Sequence, residues 1–173
     1  MGCDEALLAN LVGSLSLALR APQTNLLVNH LTGFYGNVTG RASRVQWVFG
    51  DGTVVTNTGC SISHRWTNTG DSFVTFTAFN TDHPGGVSTN LLVHVVPLMP
   101  PQLQPSVMTS NTFQVQFTGQ AGAFYFLQVA TDLAPPVSWQ TVRTMGNSAD
   151  GVCLMSDTWT GSIARRFYRV TAQ

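Results

Sequence analysis

Hydrophobic and polar residues alternate with a period of two along much of the chain. Leu15, Leu17 and Leu19 alternate with Ser14, Ser16 and Ala18, the pattern of a half-buried strand. Residues 6–12 form a helical turn or extend that strand. Ala21-Pro22-Gln23 interrupts it, and Leu26 to Tyr35 reads as a second strand. Gly36 to Ser43 is a polar loop that contains the glycosylation sequon Asn37-Val38-Thr39. Val45, Trp47 and Phe49 alternate next and should face a core. Asp51-Gly52 follows at once and permits the positive φ angles of a tight hairpin, with Val54 and Val55 on the return strand. Cys60 to Trp66 is another short strand. After the turn Asn68-Thr69-Gly70-Asp71, Val74, Phe76 and Ala78 alternate with Phe73, Thr75, Thr77 and Phe79. His83-Pro84-Gly85-Gly86 turns the chain. Val87 to Val96 then closes a set of about seven strands spaced as in a sandwich.

Pro97, Pro100, Pro101 and Pro105 mark a stiff linker over residues 97–105. Beyond it the alternation resumes. Phe113, Val115 and Phe117 are one strand, Phe124 to Thr131 a second, and Val137 to Thr144 a third that contains Trp139. Val152 to Met155 and Arg165 to Thr171 complete the set. The expected fold is all-β, with two sandwiches in tandem. An apolar N-terminal segment covers residues 1–13, the first sandwich 14–96 and the second 106–173.

Composition agrees with that pattern. Charged residues make up 9% of the 173 positions, against about 25% in an ordinary soluble domain. All eight cations are arginine, and Glu5 is the sole glutamate. Without lysine and glutamate the strongest surface helix formers are missing, while threonine and valine favour strands. Zero net charge removes the basic footprint that nucleic-acid binding needs. No stretch reaches the roughly 18 apolar residues of a membrane-spanning helix. Asp4 and Glu5 precede the apolar stretch Ala6 to Leu19, where a secretory leader carries positive charge. We therefore read no leader there.

Catalytic chemistry finds little foothold. His30, His64, His83 and His94 are scattered, with no paired ligand spacing for a metal. No nucleophile elbow or phosphate-binding loop occurs. The acids lie mostly in turns, and Gly50-Asp51-Gly52 lacks the later carboxylates of a calcium loop. The expectation is no enzyme and no cofactor. Cys3, Cys60 and Cys153 are odd in number, so at least one is unpaired or bridges two chains. They are expected as buried thiols, with one bridge within or between chains as the alternative. With no lysine, an intramolecular Lys–Asn isopeptide bond cannot form.

Three linked blocks carry a family resemblance. They are Trp47-Val48-Phe49-Gly50-Asp51-Gly52-Thr53, His64-Arg65-Trp66-Thr67, and Gly70-Asp71-Ser72-Phe73-Val74-Thr75-Phe76-Thr77-Ala78-Phe79-Asn80. In order and spacing they resemble a PKD domain, an immunoglobulin-like sandwich common in extracellular proteins. The resemblance implies structural roles for Trp47, Phe49, Gly50, Asp51, Gly52, His64, Trp66 and Gly70. Two positions depart from the family pattern. Val48 replaces an aspartate, which weakens any calcium site, and Ser72 replaces a tyrosine, with Phe73 beside it to supply the bulk. The second half resembles a small fibronectin- or immunoglobulin-like module at the C-termini of secreted bacterial proteins. The matching stretches are Phe124 to Leu133, Trp139, Asp157-Thr158 and Arg166-Phe167-Tyr168-Arg169-Val170.

These features imply a non-catalytic structural protein, outside the cell or at its surface, whose partner is another copy of itself. Few charges guard the sandwich edges. The segment with Leu7, Leu8, Leu11, Val12, Leu15, Leu17 and Leu19 can dock on a neighbour as an added strand or pair within its own sandwich. The alternative is an accessory module of a larger secreted protein, binding a polysaccharide or a surface protein. Trp66, Phe79, Trp139 and Trp159 are then candidates to stack on sugar rings. A third reading, calcium-stabilised spacing of the domains, rests on Asp51, Asp71 and Asp82.

Overall fold

The computed structural model describes residues 11–56, 59–146, 149–161 and 165–173. Strands, turns and irregular segments make up these residues, and no helix occurs among them. The chain divides into two compact units, Met1–Pro97 and Leu98–Gln173.

In the first unit the strands are β1 (Ser16–Arg20), β2 (Asn25–Leu27), β3 (Thr32–Thr39), β4 (Arg44–Val48), β5 (Val54–Thr56), β6 (Ser61–His64), β7 (Gly70–Phe79) and β8 (Val87–Val96). Sheet I has the order β1-β3-β6 and sheet II the order β2-β8-β7-β4-β5. All pairs are antiparallel except β2 with β8. The core lies between the sheets. Its largest fully buried side chains are Trp47, Phe34, Phe49 and Phe76. Gly36 of β3 permits this packing, because a Cβ there would lie 2.5 Å from the Phe76 ring.

The span Leu26 to Tyr35 is two strands, not one. Asn29 adopts a positive φ of 64°, a conformation asparagine tolerates, and the chain leaves sheet II for sheet I there. The sequon is also displaced from its expected loop, since Asn37 and Thr39 are exposed residues of β3. Leu15, Leu17 and Leu19 pack against the core of their own sandwich, and β1 pairs with β3. This part of the proposed assembly segment is therefore committed internally. Leu11 and Val12 precede it in irregular structure, with Val12 exposed, and Leu7 and Leu8 lie outside the described residues.

The second unit contains β9 (Gln102–Leu103), β10 (Val107–Met108), β11 (Thr112–Gly119), β12 (Phe124–Ala130), β13 (Gln140–Gly146), β14 (Gly151–Thr158) and β15 (Phe167–Ala172). In sheet III, β11 pairs with β14 on one side and with β9 and β10 on the other. Sheet IV has the order β13-β12-β15. Val115, Phe117, Cys153 and Met155 face Tyr125, Leu127 and Val129 across a buried core. The proline spacing places residues 97–105 in a linker, yet Gln102 and Leu103 form β9 and belong to this unit. Proline cannot donate a ladder bond, but these two residues lie between prolines and can.

Candidate functional site

Seven of the eight expected motif residues gather at one end of the first unit. Trp47 and Phe49 point inward, and the turn Gly50-Asp51-Gly52 leads into β5. Phe49 N–H donates to the Thr53 carbonyl at 3.1 Å, and Asp51 Oδ1 accepts from Thr53 N–H at 2.9 Å. Gly50 has φ 77°, and a Cβ there would crowd the Phe73 backbone at 3.2 Å. A turn this close to β7 therefore requires glycine.

His64 closes over the turn. Its Nε2 lies 2.7 Å from Asp51 Oδ2. Its ring stacks on Phe49, with centroids 4.0 Å apart, and meets Trp66 edge-on at 4.5 Å. Trp66 Nε1–H donates to the Phe49 carbonyl at 3.1 Å, and Trp47 Nε1–H to the Gly59 carbonyl at 3.1 Å. Both indole donors are thus satisfied inside the sandwich, as buried polar groups must be. Burial alone would raise the Asp51 pKa. The hydrogen bonds from Thr53 and His64, with the charge of His64, outweigh it and hold the carboxyl below its ordinary value. Gly70 opens β7 opposite Val95, with φ 135°. Ser72 is half-buried beside Gly50, whereas Phe73 is 57% exposed. Phe73 points outward and so does not replace the missing tyrosine.

This geometry belongs to a structural clasp. The three candidate calcium ligands each hold a separate partner: Asp51 with His64, Asp71 with His94 Nδ1 at 2.7 Å, and Asp82 with Gly13 N–H at 2.7 Å. Among the described residues, no three His, Cys, Asp or Glu side chains group to hold a metal ion. Two of the four candidate sugar-stacking rings are also committed. Trp66 is 3% exposed, and buried Phe79 has the Arg44 guanidinium 3.5 Å above its ring. Trp139 and Trp159 are half-buried beneath Arg169 and Arg166, at 4.3 and 4.7 Å.

A family model described as PKD domain matches residues 9–95. The chain belongs to the PKD domain family. This PKD sandwich is followed by the second β unit, outside the matched range. A comparison with curated proteins gives no match. Solved structures similar to the chain include a carbohydrate-binding module of the β-sandwich superfamily, with 9% identity and a TM-score of 0.47 over 82% of this chain and 84% of that one. Fibronectin(III)-like modules of Clostridium thermocellum CbhA are similar at 11% identity and a TM-score of 0.44, over 91% and 85% of the two chains.

Asn80 ends the third sequence block, which assigned it no role. Asn80 is a hub: its Nδ2 donates to the Gly13 and Arg41 carbonyls at 2.8 and 3.2 Å, and its Oδ1 accepts from His83 N–H at 2.9 Å. Thr81 N–H donates to the Leu11 carbonyl at 2.8 Å, so residues 11–13 are tied to the turn after β7. The cysteines differ from one another. Cys60 is disulfide-bonded, so the expected set of buried thiols is corrected there, while Cys153 is a buried free thiol. Burial raises the Cys153 pKa.

In the PKD chain's second unit, Asp157, Arg166 and Tyr168 form a half-buried cluster joining sheets III and IV. Arg166 Nη2 binds Asp157 Oδ2, Tyr168 OH donates to the same oxygen at 2.9 Å, and Arg166 Nε donates to Tyr168 OH at 2.8 Å. Burial, then the Asp157 carboxylate, push the Tyr168 pKa up against the opposing effect of Arg166.

Proposed function

We propose that this chain is a non-catalytic structural protein, working outside the cell or at its surface, that self-associates into a filament or surface assembly. The supporting observation is that several edge strands present no free charge, although the edge strands β1, β13 and β15 carry Arg20, Arg143 and Arg169. β2, β5 and β6 contain no Asp, Glu, Lys or Arg. The sole charge of β14, Asp157, is buried in an ion pair. Lysines are the usual guard against edge pairing, and this sequence has none. The Cys60 disulfide favours an oxidising compartment. Light scattering and electron microscopy of the purified chain test the proposal. Polymer that grows with concentration is expected, and a strict monomer at the highest attainable concentration overturns it.

A second reading, an accessory module for polysaccharide or protein, is favoured by Trp139. This half-buried indole lies beside Arg169, whose Nε donates to Gln128 Oε1 at 2.7 Å. Aromatic, guanidinium and amide groups together suit a sugar ring. Retention on insoluble polysaccharide, lost in Trp139→Ala, is the expected result for that reading.

A further inference from the structure

Among the described residues, three of the four sheets carry charge on their outward faces. Sheet I has Arg20, sheet II has Arg44 and the Asp71–His94 pair, and sheet IV has Arg169. Sheet III has none. Its inward residues are Val115, Phe117, Cys153, Met155 and Asp157. Period-two alternation turns the other set outward. On β14 this set includes Val152 and Leu154, 71% and 54% exposed. Directly opposite them on β11 stand exposed Thr118 and Gln116. Val107 of β10 and Gln102 of β9 extend the same face, both exposed.

We propose that this outward face of sheet III is the surface through which the chain meets a second copy of itself, sheet against sheet. The inference rests on the self-association reading and specifies its contact. Charge selects the occupant. A charged partner surface would lose its hydration here with no counter-ion on the face itself, Arg143 of β13 being bonded at the β14 edge to the Ser156 carbonyl at 3.2 Å. The same face of a second copy brings no charge. Gln and Thr each donate and accept, so two such faces can satisfy the polar groups they cover. A two-fold axis sets each copy's Val152 and Leu154 against the other's face, burying the most exposed apolar residues of β14. The outward faces of the other three sheets would each bring an arginine to such a contact.

Sedimentation of the full chain over a range of concentrations tests this. Wild type is expected to associate, and V152K/L154K to weaken association tenfold or more with unchanged circular dichroism. A18K, on the outward face of sheet I, is expected to associate as wild type does. If V152K/L154K does not fold, Q116E/T118E on the neighbouring strand decides the same question. Association that survives these sheet III variants, or is lost only in A18K, overturns this contact while leaving self-association standing. A wild type that stays monomeric overturns both. A monomer retained on insoluble polysaccharide through Val152 and Leu154 would assign the face to a glycan instead, and overturn the proposal.

Discussion

Asp51 and His64 join the two sheets of the first unit through a 2.7 Å contact. Asp51 lies in the turn between β4 and β5 of sheet II, and His64 ends β6 of sheet I. The imidazole is held over Phe49 by stacking and to the turn by the carboxylate. A polar bond thereby closes the end of an apolar core.

Asp51→Asn should destabilise the first unit at neutral pH by about 1 kcal/mol, the scale of a hydrogen bond weakened from charged to neutral. The folded carboxyl titrates below its unfolded value of 3.8. Its contribution is therefore fully present above that value and is lost as pH falls through the folded one. Urea unfolding should separate wild type from the variant at pH 7 and bring them together in strong acid. An equal gap at both extremes contradicts this.

Trp66 supplies both volume and a donor to the same end of the core. Trp66→Phe retains a ring but leaves the Phe49 carbonyl without the indole N–H, at a cost of about 1–3 kcal/mol. Trp66→Ala adds a cavity and should cost about 3–5 kcal/mol. Chemical denaturation curves of the two variants give the order directly. Equal stability of the two would mean that ring volume at this position contributes no more than a methyl group.

The parts readable from sequence are those set by local alternation or by a contiguous motif. Val87–Val96 is a strand over the expected residues, and Trp47, Phe49, Asp51, His64 and Trp66 converge. The unread parts depend on distant partners. Asn80 finds Gly13 and Arg41, which lie 67 and 39 residues away. Leu26 to Tyr35 contains no glycine or proline before Gly33, and the sheet change at Asn29 follows from where β8 and β6 offer open edges. Likewise Trp66 and Trp139 are the same residue type. Only the fold buries one and leaves the other half-covered under Arg169.

Asn80→Ala should loosen the entry to β1 more than the core. The substitution removes the donors to Gly13 and Arg41 and the acceptor for His83. A global loss of about 1–3 kcal/mol is expected. Amide exchange should rise most at Gly13, Thr81 and His83. Buried Val74 and Phe76 on β7 should remain protected until global unfolding. Uniform acceleration across β7 would argue against a local tether.

In the second unit, Asp157 is 8% exposed and relies on Arg166 and Tyr168. Arg166→Ala leaves that carboxylate buried without its cation and should cost about 3–5 kcal/mol. Tyr168 provides a separate readout by ultraviolet titration. Burial and Asp157 raise its pKa above the ordinary 10.0. Its share of the stability is thus fully present below that value and is lost as pH rises through the folded one. Asp157→Asn removes the carboxylate's contribution and should bring the Tyr168 titration down, whereas Arg166→Ala removes the opposing cation and should move it up. No shift in either variant would show that burial alone sets the phenol, with no coupling to the pair.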